Sequence, residues 1–281
     1  MTTLRQLFQV SDLSRLDKRV LLSRITGFTT AQLISRDDYE LSVEQLQLYQ
    51  NWVQRALAGE PIAYILGQKE FYSREFKVTP ATLIPRPETE LLLEKILELA
   101  APNARVVDLG TGSGCLAISA KLERPDLQVI AVDKFVAALQ IAQENALNLA
   151  AKVEFIHSDW FTNLSGKFDL IASNPPYIEA DDPHLQALQF EPQTALSDFA
   201  DGLSCIRLIA NSAREFLNPN GWLIIEHGYN QAHAVQEIFR SAGLVQIATL
   251  QDYAGIDRIT LAQQVGSQLT AGGIRLETVN G

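Results

Sequence analysis

The stretch Val106-Val107-Asp108-Leu109-Gly110-Thr111-Gly112-Ser113-Gly114 decides the fold. A short apolar run, the length of one strand, enters three glycines at alternate positions, and Cys115 to Leu122 continue at helical spacing. Glycine lets the backbone turn sharply there and lets a ligand approach where a Cβ would otherwise stand. The spacing is G-x-G-x-G, not the G-x-G-x-x-G of dinucleotide binders. Such a loop suits a nucleoside that needs close backbone approach but no pyrophosphate seat.

Working outward, the chain after this loop alternates strand and helix. The strand candidates are Arg105–Asp108, Gln128–Asp133, Val153–His157, Asp169–Ser173, Trp222–Glu226, Leu244–Thr249 and Arg258–Ala262. The helices between them are expected over Cys115–Leu122, Phe135–Leu149, Leu203–Leu217 and Gln231–Ala242. This alternation predicts an α/β fold with a mainly parallel sheet covered by helices on both faces.

Upstream, residues 1–68 read as helices. Leu4, Leu7 and Phe8 share one face, and Leu13, Leu16 and Val20 continue that spacing. Ser42 with Gln45 forms a capping box, Leu46, Tyr49 and Val53 make a stripe, and Gly59 and Pro61 stop the helix. Residues 69–84 read as a hairpin linker, with Phe71-Tyr72 opposite Phe76-Lys77-Val78. A helix is expected to start at Pro87 and to bury Leu91, Leu92 and Ile96. Residues 85–281 then form the second domain, with a frayed polar tail after Gln264.

Four stretches carry chemistry. Beyond the glycine loop, Asp133 closes the next strand and can accept hydrogen bonds from both hydroxyls of a ribose. Ser158-Asp159-Trp160 ends the third strand, either as an adenine contact or as a packed loop. Asn174-Pro175-Pro176-Tyr177 follows the fourth strand. Its prolines remove two N–H donors and leave carbonyl acceptors, Asn174 adds a side-chain carbonyl, and Tyr177 offers a ring face. Two acceptors can hold the two hydrogens of a planar NH2 group. The stretch from Ile178 to Asp201, which has few helix or strand signals, is expected to close over the bound group, with Glu191 helping to position it. Cys115 reads as a small buried residue. The four His show no ligand spacing, and no metal is expected.

The glycine motif together with Asn174-Pro175-Pro176-Tyr177 resembles the class I methyltransferases that use S-adenosylmethionine to methylate a planar nitrogen. More narrowly, the chain resembles the bacterial peptide chain release factor N5-glutamine methyltransferases. The stretches Ala81–Glu90, Ser158–Phe161, Asn174–Ile178, Asp182–Leu185, Phe190-Glu191-Pro192, Glu226-His227-Gly228, Asp252-Tyr253 and Asp257-Arg258 carry that likeness over nearly the whole chain. The resemblance implies a seven-stranded sheet with an antiparallel last strand, preceded by a helical domain and a hairpin. It implies S-adenosylmethionine as cofactor, bordered by Gly110, Thr111, Gly112, Ser113, Gly114, Asp133, Trp160 and Asn174. It also implies that Asn174, Pro175, Pro176 and Tyr177, with Glu191, hold the glutamine of the Gly-Gly-Gln tripeptide in class 1 release factors.

Composition narrows the rivals. The chain has 281 residues, 47% apolar and 20% charged, enough for a core and against disorder throughout. It carries 23 Lys and Arg against 33 Asp and Glu, a net charge of -10. From Met1 to Lys77 there are ten against nine, so the acidity belongs to the second domain. Such charge disfavours a DNA adenine methyltransferase, which needs the same amine site but also a basic surface, and no direct nucleic-acid binding is expected. It argues mildly against an RNA acceptor and not against another protein. A non-catalytic cofactor-binding module would leave the Asn-Pro-Pro-Tyr turn without a purpose. No apolar run is long enough for a membrane span or a secretory signal, and the two Cys imply no disulfide framework, so a cytoplasmic location is expected.

Overall fold

The short N-terminal helices start where small polar residues cap them. Thr3, Ser14, Thr29 and Ser42 each accept a backbone N–H from the first turn of α1 (Leu4–Gln9), α2 (Arg15–Thr26), α3 (Thr30–Ser35) and α4 (Val43–Leu57). α5 (Ile62–Leu66) follows Pro61 and ends at Gly67 in the left-handed region. The computed structural model describes residues 2–10 and 12–266; the tail expected to fray lies mostly outside the described residues.

Leu4, Leu7, Leu21, Leu22, Leu33, Tyr49, Val53 and Ile65 form the core of this helical unit. The expected stripe through Leu16 and Val20 does not face it: Leu16 is 68% exposed and Val20 38%. Ser14 starts a separate helix, and the turn before it resets the phase. The inward positions of α2 become Lys18, Leu21 and Leu22. The buried Lys18 is paid for by geometry: its ammonium lies 2.6 Å from Asp12 and donates to the Leu7 carbonyl at 2.9 Å.

β1 (Gln68–Phe71) and β2 (Arg74–Lys77) form the expected hairpin, with Phe71 and Phe76 buried. α6 runs from Thr89 to Leu99, two residues later than expected, because Pro87 and Glu88 make a turn before it. It buries Leu92, Leu93 and Ile96, leaving Leu91 only partly covered.

The remaining elements are β3 (Arg105–Leu109), α7 (Cys115–Glu123), β4 (Gln128–Asp133), α8 (Val136–Asn148), β5 (Glu154–His157), β6 (Phe168–Ser173), α9 (His184–Ala187), α10 (Gln193–Leu196), α11 (Ser204–Phe216), β7 (Leu217–Glu226), α12 (Ala232–Ser241), β8 (Val245–Gln251) and β9 (Asp257–Gln263). Seven strands form one sheet in the order β5-β4-β3-β6-β7-β9-β8. β3 to β7 pair in parallel, and β9 inserts antiparallel between β7 and β8. Strand alternation separates two apolar layers. Val106, Ala131, Leu170 and Ile224 pack with α6 and α7, while Val107, Ile130, Ile171 and Leu223 pack with α11 and α12. The order reverses at β3 beside β6, and ligands of such sheets bind outside the carboxyl ends of the strands at that switch point. Gly110 follows β3 and Asn174 follows β6, so the fold sets the two motifs side by side.

Candidate active site

The glycine loop hangs from the neighbouring strand. The N–H groups of Gly110 and Thr111 both donate to the Val132 carbonyl, at 2.9 and 2.8 Å. Asp133 then ties loop to helix: its Oδ2 accepts the Gly112 N–H and its Oδ1 the Phe135 N–H, each at 2.9 Å. Burial raises the Asp133 carboxyl above its ordinary value, and these backbone donors offset only part of the rise. A carboxylate has about four lone-pair sites, so two stay open for hydroxyl donors.

A cavity of ≈ 420 Å³ opens at this place, lined among others by Gly110, Gly112, Asp133, Trp160, Asn174 and Pro176. A Cβ on Gly110 would stand 3.6 Å from the Trp160 ring, so the ring lies against bare backbone. Trp160 sits at φ 50°, held by the Ser158 hydroxyl, which donates to its carbonyl at 2.9 Å. Asp159 reaches Lys134 at 2.7 Å, and both residues also line the cavity.

The other expected cofactor contacts do not line the cavity. Thr111 is buried and donates to Asp108 at 2.7 Å. The Ser113 carbonyl accepts from Asn145 at 2.9 Å. Gly114 faces protein, since a Cβ there would meet Ile118 at 2.8 Å and Ala142 at 3.0 Å. Its missing side chain serves close packing of α7 on α8. Cys115 is buried and its thiol is pushed up to about 12 by burial, as for a packing residue.

Asn174 stands where β6 ends, and its Nδ2 donates to the Thr89 hydroxyl at 3.1 Å. Thr89 donates to Glu226 at 2.7 Å, and the Tyr177 hydroxyl approaches the other Glu226 oxygen at 3.4 Å. Burial pushes the Glu226 carboxyl up to about 7, with Glu88 adding to the rise and Arg258 opposing it. No described hydrogen bond ends on Asn174 Oδ1 or on the Pro175 carbonyl. The Tyr177 carbonyl, by contrast, accepts from Gln231 at 3.0 Å. Asn174 Oδ1 and the Pro175 carbonyl are thus among the acceptors of this turn with no described hydrogen bond; Asn174 lines the cavity, while Pro175 is buried and does not line it. Tyr177 itself is turned toward Glu226 and does not line the cavity.

Glu191 is also removed from the cavity. Its carboxylate is buried, accepting the Ile84 N–H at 3.0 Å and pairing with Arg86 at 2.6 Å. The stretch from Ile178 to Asp201 carries α9, α10 and a bridge between Ile178 and Ser197. Pro192, Thr194, Ala195, Ser197, Asp198 and Phe199 from this stretch line one wall of the cavity. Thr89, Glu226, Gln231 and Asn145 are the functional neighbours that motif reading missed. Thr89 and Glu226 lie in two of the stretches that carry the family likeness, Ala81–Glu90 and Glu226-His227-Gly228, but no role was read for either.

The methyltransferase small domain family matches residues 87–191, and the PrmC N-terminal domain family matches residues 2–67. The chain is 47% identical over 259 residues to the release factor glutamine methyltransferase of Neisseria gonorrhoeae, covering 90% of this chain and 95% of that protein. It is 44% identical over 261 residues to the release factor glutamine methyltransferase of Aliivibrio fischeri, covering 91% and 92%. In fold, it is similar to the crystal structure of a methyltransferase from Pyrococcus furiosus, with TM-score 0.56 at 16% identity, covering 77% of this chain and 99% of that one.

Proposed function

The chain belongs to the release factor glutamine methyltransferase family, and from that premise we propose that it methylates the side-chain amide nitrogen of the Gly-Gly-Gln glutamine in class 1 peptide chain release factors. The observation that carries this reading is Asn174, whose Oδ1 carries no described hydrogen bond, on the wall of a cavity fitted for a nucleoside, with the Pro175 carbonyl next to it in the chain.

The cavity suits S-adenosylmethionine. Gly112 faces open space, Asp133 keeps lone pairs for ribose hydroxyls, and the Trp160 ring with Phe135 and Pro176 offers apolar walls. When bound, that cofactor supplies an electrophilic methyl on a sulfonium that carries its own leaving group. An amide nitrogen is a weak nucleophile because its lone pair is delocalised. Asn174 and Pro175 each accept one of its hydrogens, raise its electron density and fix its direction. Holding it within about 3–3.5 Å of its target supplies the proximity term. The loop that carries α9 and α10 walls one side of the cavity.

We place the work of the chain in the cytoplasm, beside the ribosome's release factors. No described helix is long and apolar enough to cross a membrane. The net charge of -10 supports a protein acceptor over a nucleic acid. Residues 1–68 are assigned to docking of the release factor, residues 69–84 to a linker, and residues 85–281 to transfer.

The test offers purified protein and methyl-labelled S-adenosylmethionine three acceptors: full-length release factor, its Gln-to-Ala variant in Gly-Gly-Gln, and duplex DNA. Label on the wild-type factor alone is the expected result. Label on DNA, or equal label on the Gln-to-Ala variant, overturns the reading.

A further inference from the structure

A side-chain carboxamide has two orientations, related by a half turn, that exchange its donor and its acceptor. Only one of them lets Asn174 accept a hydrogen from an amide NH2. The other points an NH2 at an NH2, so two donors face each other and neither is satisfied. The site therefore needs a device that tells the two ends of Asn174 apart.

The structure contains one, built from three separate elements. β6 and β7 are adjacent parallel strands with Ser173 opposite Ile225, so the next residues, Asn174 and Glu226, come out side by side. Thr89, the first residue of α6, lies between their side chains. Thr89 is 4% exposed and Glu226 1% exposed, so water does not compete for these bonds. In its ionised form Glu226 is acceptor-only, and its Oε2 accepts the hydrogen bond of the Thr89 hydroxyl at 2.7 Å. Thr89 Oγ1 then has only lone pairs to offer Asn174. Only the Nδ2 end can bond there, which it does at 3.1 Å.

We propose that Thr89 is a positioning residue whose hydroxyl, oriented by Glu226, fixes the Asn174 carboxamide with its nitrogen inward and its oxygen toward the acceptor amide. This rests on the functional reading above and adds residues that touch neither cofactor nor acceptor. The Tyr177 hydroxyl, at 3.4 Å from the second Glu226 oxygen, steadies the carboxylate from its other side.

The experiment compares Thr89→Val, which keeps the shape and removes the hydroxyl, with Thr89→Ser, which keeps the hydroxyl. Each variant and the wild type are assayed for kcat and KM on full-length release factor and for cofactor binding by calorimetry. Thr89→Val is expected to lower kcat by about tenfold to a hundredfold, the loss of one correctly directed bond plus one misplaced donor. Cofactor affinity stays within about twofold, which also establishes a folded site, and Thr89→Ser stays within about threefold of wild-type kcat. Undiminished kcat in Thr89→Val overturns the inference, as does an equal loss in Thr89→Ser, which would assign the effect to the methyl group. A wild-type protein that does not label the release factor takes down the functional reading, and this inference with it. A wild type that labels it beside an unimpaired Thr89→Val takes down the inference alone.

Discussion

Glu191 Oε2 accepts the backbone N–H of Ile84 at 3.0 Å, joining two stretches that lie 107 residues apart. Its other oxygen meets Arg86 at 2.6 Å, so the carboxylate clamps the proline-rich entry to α6 onto the loop that walls the cavity. This bond geometry leaves Glu191 acting on the wall rather than on the acceptor directly. Glu191→Ala leaves a buried N–H and a half-buried guanidinium unpaired. Bonds to a charged group are worth about 1.5–3 kcal/mol, so a stability loss of that size is expected in denaturant unfolding. A double-mutant cycle with Arg86→Ala should return a coupling of about 1 kcal/mol or more. Additive losses would show that the clamp does not exist in solution.

The three glycines of the loop separate into two roles. At Gly112, with φ 56°, an added Cβ meets nothing within 4 Å and enters the open side of the loop. At Gly114, with φ 80°, the Cβ would strike Ile118 and Ala142. Both changes to Ala carry a left-handed backbone cost of about 1–2 kcal/mol. Gly114→Ala adds overpacking of about 1–3 kcal/mol and should be the less stable variant. Gly112→Ala should fold but bind cofactor about tenfold more weakly, since tenfold corresponds to about 1.4 kcal/mol, the scale of one strained contact. Calorimetric titration beside thermal unfolding checks both. If Gly114→Ala proved the more stable and the poorer cofactor binder, the assignment would be reversed.

The alternating strand and helix pattern was legible because each strand is a short apolar run with a glycine or polar break after it. The predicted Gln128–Asp133 strand matches the structure at both ends. The two site motifs were legible because both sit at carboxyl ends of strands, where the parallel topology must bring them together. Glu226 and Thr89 lay in stretches that carried the likeness, but their pairing was not legible, because a carboxylate and a hydroxyl 137 residues apart show no spacing signal until the sheet order is known. Asn145 is hidden for the same reason. It lies inside a helix, yet it accepts from the Lys77 N–H at 2.7 Å and donates to the Ser113 carbonyl at 2.9 Å, joining hairpin to glycine loop. The α2 stripe misled because the chain leaves the helix after Gln9 and starts a new one capped by Ser14, so a periodicity carried across the break no longer tracks one face.

Asp108 and Glu226 give stability a pH dependence of definite sign. Burial pushes the Asp108 carboxyl from 3.8 to about 7, with Asp133 adding to the rise, and Glu226 from 4.5 to about 7. Their folded pKa values thus exceed the unfolded ones. Between about pH 4 and pH 7 the folded chain keeps protons that the unfolded chain has lost. Stability from these groups is complete below pH 4 and falls as pH rises toward 7, by up to about 1.4 kcal/mol per unit per group. Asn at position 108 keeps an acceptor for the Thr111 hydroxyl but cannot ionise. Asp108→Asn should therefore gain on the wild type as pH rises from 5 to 8. Denaturant midpoints at the two pH values test it, and parallel wild-type and variant curves would rule out a buried neutral Asp108.

The helical domain presents apolar side chains that its own core does not use. Leu16 is 68% exposed and Ile34 64%, although both lie on capped, well-formed helices. Beside Leu16, the residues Arg19, Val20, Arg24, Leu66 and Glu75 line a groove of ≈ 420 Å³. A tripeptide gives little surface for recognition, so a second contact with the release factor is expected on this domain. Removing the whole domain is a poor test. Tyr64 donates to the Thr82 carbonyl at 2.6 Å and packs with Val78, Ile84 and Phe190, so deletion would also loosen the loop beside Glu191. Leu16→Asp leaves those contacts intact and changes only an exposed side chain. It should raise KM for full-length release factor by about tenfold, the loss of one buried leucine's 1.5–3 kcal/mol at an interface. Cofactor affinity, kcat, and turnover of a short Gly-Gly-Gln peptide should not move. An equal rise of KM for the peptide and the full-length factor would place the effect at the transfer site and remove the docking role from this face.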